Sequence, residues 1–392
     1  MDFSFSVNQQ RINDEVAAIG RSLSMSDLAR REKNYRFSKP LFKQLAQSGI
    51  NDWLFPVSQG GRGFNAVDLS IALEALGRSC EDSGLVFATA AHLCACMHPL
   101  VHYAETDLLK EWCQRIRTHH LLGAHAITEP TAGSDVFAMK CFAQKQGDQF
   151  ILNGEKCYIT NAPVADFLIV HCKTANQGNF FDFSCFLVDA RLPGITISKE
   201  PFEKVGLRTA EMGNVQFDEV VLSPASLIGT QGGGAAIFQA SIQWERTCLF
   251  AFYLGVLNNQ LDQVVSRCEQ RHQFGEPIIE HQAVAHALVD MYARYEASRL
   301  MVYRAAWGLD QGEMNTPYAA LAKLSVSQTL IQNGLSALEL HGASGMLSGI
   351  VEKQFRDALP ATVFSGSSAT MKNNLIKQLR RHSGRTKRKL AA

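Results

Sequence analysis

The sequence predicts an α+β fold laid out in three successive parts: helical, then β, then helical. Three observations carry this. Apolar residues recur at helical spacing from about Asp14 to His120, short β-rich runs separated by turns follow, and helical spacing returns after Gly232-Gly233-Gly234. At 392 residues the chain exceeds what one hydrophobic core usually organises. The parts are therefore expected as domains over 1–120, 121–232 and 233–383, with a basic tail over 384–392.

In the first part, Phe42, Leu45 and Ala46, then Leu69, Ile71, Leu73 and Leu76, mostly recur three to four residues apart. Between them Pro56-Val57-Ser58-Gln59-Gly60-Gly61-Arg62-Gly63 is a loop, because clustered Gly and Pro cannot continue a helix. In the second part, Phe150-Ile151-Leu152 meets a turn at Asn153-Gly154. Phe167 to Val170, Phe183 to Val188 and Asn214 to Leu222 are further strands. In the third, helical periodicity holds to about Leu379, and no internal repeat is found. The tail, from Lys377 through Arg380-Arg381 to Lys387-Arg388-Lys389, reads as a disordered end rather than a binding arm.

Composition excludes several function classes. Basic and acidic residues nearly balance, 38 against 37, so the chain is no globally basic nucleic-acid binder. Its start has no signal-peptide pattern. The most apolar run, Leu85 to Met97, is broken by His92 and too short to span a bilayer. Ten cysteines without a Cys-x-x-Cys pair or metal-ligand spacing suit a reduced cytoplasmic protein with no metal.

The chemistry concentrates in Gly123-Ala124-His125-Ala126-Ile127-Thr128-Glu129-Pro130-Thr131-Ala132-Gly133-Ser134-Asp135. A Gly/Ser/Thr-rich turn leaving a strand offers N–H groups and hydroxyls to a polar ligand edge or a phosphate. Lys156-Cys157-Tyr158-Ile159-Thr160-Asn161 follows, then Arg271-His272-Gln273-Phe274-Gly275, then Glu280-His281-Gln282. In this order and spacing the segments resemble the acyl-CoA dehydrogenase family over nearly the whole chain. The resemblance implies an N-terminal helical domain, a β-barrel-like middle and a C-terminal four-helix bundle. It also implies a homotetramer with non-covalent FAD.

Carried over residue by residue, the resemblance places Ile127 and Thr128 at the pyrimidine edge of the flavin. Gly133 and Ser134 meet the pyrophosphate, Tyr158 covers the ring, and Thr160 approaches flavin N5. Arg271, Phe274 and Gln282 resemble contacts made to FAD from a neighbouring subunit. Leu338-Glu339-Leu340-His341-Gly342 matches a further cofactor segment imperfectly, since an acid stands at Glu339 where the family commonly has Gln. Gly366 and Ser367 resemble a Gly-Thr pair that also serves FAD.

Many family members keep their base glutamate in a Tyr-Glu-Gly-Thr segment near the C-terminus. Counting from Arg356-Asp357-Ala358, the matching segment here is Phe364-Ser365-Gly366-Ser367, with Ser365 at the glutamate position. A serine hydroxyl is too weak a base for that role unaided. A minority of the family carries the base in a Glu-Arg pair on the first long C-terminal helix, and Trp244-Glu245-Arg246-Thr247 supplies one. Ile242, Cys248 and Leu249 lie three or four residues from Glu245, with Phe238 and Phe252 beyond, so this acid sits on an apolar stripe.

The implied reaction is α,β-dehydrogenation of an acyl thioester. Glu245 takes the α-proton, flavin N5 receives the hydride, and the Ser365 N–H polarises the carbonyl. Arg246 either faces a carrier phosphate or pairs with an acid. The carrier is coenzyme A or a carrier-protein arm. Asp82 to Ala88 with Ala91-His92-Leu93 resembles a subgroup of specialised metabolism that acts on carrier-bound acyl or aminoacyl groups. Electrons would pass to an electron-transfer flavoprotein or to O2, and an oxidase or monooxygenase remains the alternative on this scaffold. A non-catalytic thioester-binding protein is the alternative of another class, motivated by Glu339, Ala343, Ser365 and Ala369.

Overall fold

Helix starts in the first part are written into single residues. Ser6, Ser38, Asn65, Asp82 and Thr106 each accept a hydrogen bond from a first-turn N–H, satisfying donors that have no intrahelical partner. They open α1 (Val7–Ser22), α3 (Lys39–Gln47), α4 (Ala66–Ser79), α5 (Ser83–Ala91) and α7 (Asp107–His119); α2 (Leu28–Asn34) and α6 (His98–Tyr103) complete the set. The computed structural model describes residues 3–313 and 317–390, with side chains as far as Arg380.

Helices α5 and α6 are joined by a π-helical turn, His92–Met97, into one unbroken helix. The apolar run expected to be too short for a bilayer is thus part of a 21-residue helix, Ser83–Tyr103, long and apolar enough to cross one. Its most apolar window is 89% buried inside the molecule, as befits a core helix. His92 does not break it. Its Nδ1 accepts from the Gly123 N–H at 3.0 Å and its Nε2 meets Asn51 Oδ1 at 3.2 Å, so the ring is a satisfied core residue.

The middle part is one mixed sheet of β1 (Gly123–Ala126), β2 (Phe142–Gln146), β3 (Gln149–Thr160), β4 (Phe167–Lys173), β5 (Phe183–Asp189), β6 (Ile195–Ile197), β7 (Met212–Leu222) and β8 (Leu227–Ile228). Its order is β6-β7-β3-β2-β4-β5-β8, with β1 parallel on β4. The barrel-like middle is therefore a sheet that ends on β6 and β8. Strands β4 and β5 are apolar on both faces. Leu168, Val170, Phe186 and Val188 join the sheet's own core, while Phe167, Ile169, Cys185 and Leu187 pack into the helical core.

The third part starts with α8 (Gly234–Trp244), a second π-helical turn (Glu245–Leu249) and α9 (Phe250–Gln270). A hairpin of β9 (His272–Gln273) and β10 (Glu276–Pro277) leads to α10 (Gln282–Asp310), α11 (Tyr318–His341), α12 (Ile350–Ala358) and α13 (Ser368–Leu390). Helices α9, α10 and α11 pack on one another, and α11 also meets α12 and α13. Glycines let the first and third parts touch backbone to backbone. A Cβ on Gly77 of α4 would lie 2.0 Å from the Phe252 carbonyl of α9. The basic tail expected from residue 384 carries helical backbone to Leu390, and its side chains lie outside the described residues.

Candidate active site

The three parts enclose one cavity of about 590 Å³, a size suited to a flat cofactor beside a small acyl group. Ile127, Thr128, Gly133, Ser134, Tyr158, Thr160, Glu245, Arg246, Ser365 and Ser367 all line it. Arg271, Phe274, Gln282, Glu339 and Gly342 do not. They lie exposed at the far end of the bundle, with the Phe274 ring 95% accessible.

Buried charge holds the Thr128–Asp135 turn. Glu129 accepts from the Lys140 and Cys141 N–H groups at 2.5 and 3.0 Å and from Lys156 Nζ at 2.8 Å. Lys156 also donates to the Ile127 carbonyl, and the Cys157 N–H donates to the Thr128 carbonyl. What this turn can offer a ligand is therefore its remaining N–H groups and the Thr128 and Ser134 hydroxyls. A β-bulge between Lys156 and Ile159 breaks the register with β7. It puts Tyr158 at φ 58° and leaves its ring two-thirds exposed, edge-on to Phe202.

The opposite rim is the start of α13. Ser367 Oγ accepts from the Thr370 N–H at 3.2 Å, and Thr370 Oγ1 donates to Ser134 Oγ at 3.3 Å. Hydroxyls gathered at a helix N-terminus suit the anionic middle of a dinucleotide. Across the cavity, Lys204 is turned inward to the Leu207 and Ala210 carbonyls, at 2.8 and 2.5 Å, and burial pulls it down to about 8.

Glu245 opens the second π-helical turn. Such turns hold an extra residue and often mark functional positions. The inserted geometry changes which neighbours share its face. Ile242, Leu249 and Phe238 line the cavity with it, but Cys248 turns away to the Ala66 carbonyl, and Phe252 lies in the core. Ser365 Oγ donates to Glu245 Oε2 at 2.8 Å, so the two residues that the sequence singles out for their acid and its vacancy touch each other. Ser365 itself stands at φ 53°, a strained left-handed conformation for a residue with a Cβ.

Arg246, expected at a carrier phosphate or an acid, is instead directed at this loop. Its Nε donates to the Ser365 carbonyl at 3.0 Å, and its guanidinium lies 3.2 Å from where a Cβ on Gly366 would stand. Phe364 anchors the loop from beneath, with its ring centroid 4.7 Å from that of Phe87 and 5.0 Å from that of Phe250. The backbone N–H of Ser365 is thereby presented on a clamped turn.

His125 also faces this acid. It lies 3.5 Å from Glu245 through Nδ1, inside a motif read only for its turn. The period-two alternation of β1 was the available signal, since Gly123, His125 and Ile127 line the cavity while Ala124 and Ala126 enter the sheet core.

The sequence matches the acyl-CoA dehydrogenase N-terminal domain over residues 6–119, the middle domain over 124–220 and the C-terminal domain over 232–380. The chain belongs to the acyl-CoA dehydrogenase family. It is 34% identical to the L-prolyl-[peptidyl-carrier protein] dehydrogenase of Pseudomonas fluorescens, over 97% of this chain and all of that one. Among solved structures it resembles PigA with FAD and proline, with a TM-score of 0.93 and 33% identity, over 97% and 99% of the two chains. It equally resembles the prolyl acyl carrier protein oxidase AnaB, with a TM-score of 0.92 and 32% identity, over 96% and 100%.

Proposed function

We propose that this protein is an FAD-dependent enzyme that removes two hydrogens from the α and β carbons of an acyl thioester. The observation that carries the reading is the Glu245–Ser365 contact, which sets an acid and a clamped backbone N–H side by side in one cavity. Ile127, Thr128, Gly133, Ser134, Tyr158, Thr160 and Ser367 would hold the cofactor, whose polar middle fits the hydroxyls at the start of α13. FAD, when bound, supplies the two-electron acceptor.

Glu245 takes the α-proton. That proton is only weakly acidic, so the thioester carbonyl must be polarised as the proton leaves, and the Ser365 N–H is the donor placed to do so. Ile242, Leu249 and Phe364 give the cavity an apolar wall for the reacting carbons. The cysteines of the chain are all unpaired and buried, which suits a reducing cytoplasm. The relatives' names favour a carrier-protein thioester over coenzyme A, and Arg271, Phe274, Gln282, Glu339 and Gly342 would serve the FAD of a neighbouring subunit in a homotetramer.

The test is anaerobic bleaching of the bound flavin by L-prolyl carrier protein and by butyryl-CoA. One of them should bleach the wild type and yield a product lighter by two hydrogens. Glu245→Gln should keep its yellow colour and fail to bleach. A variant that bleaches at the full rate removes Glu245 from the base role, and a protein that takes up no FAD sinks the enzyme reading. The resemblance to an oxidase favours one second reading, transfer of electrons to O2. Prompt reoxidation in air with peroxide release would select it over an electron-transfer flavoprotein.

A further inference from the structure

Glu245 is held through one oxygen. Oε2 takes the Ser365 hydroxyl, whereas Oε1 is buried and takes no hydrogen bond. A carboxylate pinned at one end can still turn about its last torsion, which is soft. The polar atom facing the free end is His125 Nδ1, at 3.5 Å.

His125 has few other options. Its Nε2 is buried without a partner, and the ring is backed by His171 and Phe238, at centroid distances of 5.1 and 6.4 Å. A proton on Nε2 would be a buried donor with no acceptor, which is unfavourable. A proton on Nδ1 points at a carboxylate. The contact lies about half an ångström beyond a good N–H···O bond, a gap that a small rotation of either side chain closes. His171 is itself fixed, with its Nε2 3.6 Å from Cys185 Sγ, so the wall behind His125 does not give.

We propose that His125 is a positioning residue for Glu245: it donates to Oε1 as Ser365 donates to Oε2, and so fixes the carboxylate in the plane in which it meets the α-proton. The proposal rests on Glu245 being the base. Orientation of this kind matters because a displacement of about 1 Å at a reacting group can cost on the order of a hundredfold in rate.

The test compares the holoenzyme with His125→Phe, which keeps a ring but no donor, and His125→Asn, which restores an amide donor on a shorter stem. The thioester that bleaches the wild type serves as probe. His125→Phe should slow flavin reduction at saturating thioester by roughly ten- to a hundredfold, with KM nearly unchanged. His125→Asn should recover a substantial part of that loss. A second measurement needs no turnover. Melting temperatures of His125→Phe, Glu245→Leu and the double variant should be non-additive, because each single change already removes one side of the contact. A full rate in His125→Phe, a loss confined to KM, an Asn variant no better than Phe, or additive melting shifts each overturn the proposal and leave the base standing. A Glu245→Gln variant that still bleaches removes the base and His125 with it.

Discussion

At the scale of single residues, the site turns on which group carries the acid and which carries the amide. Ser365 supplies a backbone N–H and, through Oγ, a hydrogen bond to Glu245 at 2.8 Å. Ser365→Ala keeps the first and deletes the second. A hydrogen bond to a charged group is worth about 1.5–3 kcal/mol. Flavin reduction in Ser365→Ala should therefore slow by roughly ten- to a hundredfold with the cofactor still bound, as read by rapid-mixing absorbance. A rate equal to wild type would mean the hydroxyl plays no part in holding Glu245. That a serine stands at 365 and a Glu-Arg pair at 245 and 246 was legible in the sequence, because both positions sit in recognisable company. The contact between them was not, since they are far apart in sequence and meet only through folding. His125 was hidden for a different reason. β1 has four residues, too few for alternation to stand out before the strand is seen.

At the scale of elements, helical spacing located the helices, and it failed where the helix itself departs from the regular period. Counting by three and four placed Cys248 beside Glu245, and the π-helical turn carries it away to Ala66. Nothing in the residues Glu245 to Leu249 announces such a turn. Helix α11 holds another feature that periodicity does not reveal. Lys323 is fully buried, its Nζ has no hydrogen-bond partner, and it lies 5.9 Å from the centre of the Phe250 ring. Burial, with the charge of Arg246 adding to it, pulls Lys323 down to about 8. Between pH 8 and the ordinary lysine value near 10.5 the unfolded chain holds a proton that the folded one has released. Stability from this group therefore rises with pH across that window and is at its poorest below pH 8. Lys323→Met, which keeps the length and drops the charge, should raise the melting temperature at pH 7. Its advantage over wild type should shrink between pH 8 and 10. A variant that melts lower at pH 7 would show that the ammonium is held by favourable contacts instead.

At the scale of the whole molecule, the question is why the residues that resemble cofactor contacts divide into two sets. Helix α9 spans 21 residues, about 30 Å at 1.5 Å per residue, and separates Glu245 at one end from Arg271 at the other. No side chain bridges that distance, so Arg271 and Phe274 cannot serve the cavity that Glu245 lines. Phe274 is instead held outward on the β9–β10 hairpin at φ 53°, its ring almost wholly in water. A left-handed backbone and an exposed phenylalanine are both unfavourable in an isolated chain, and burying such a ring is worth about 1.5–3 kcal/mol. A second chain seated on the hairpin would recover that energy and bring Arg271, whose guanidinium fork matches a phosphate, to that chain's cofactor. Phe274→Asp should accordingly lower both the molecular mass measured by light scattering and the flavin-to-protein absorbance ratio. The circular dichroism of the chain should be unchanged, because Phe274 makes no core contact. Full flavin content at the wild-type mass would place the hairpin outside the cofactor site, and with it Arg271. Loss of flavin without loss of mass would assign Phe274 to the cofactor alone and move the subunit contact to another face.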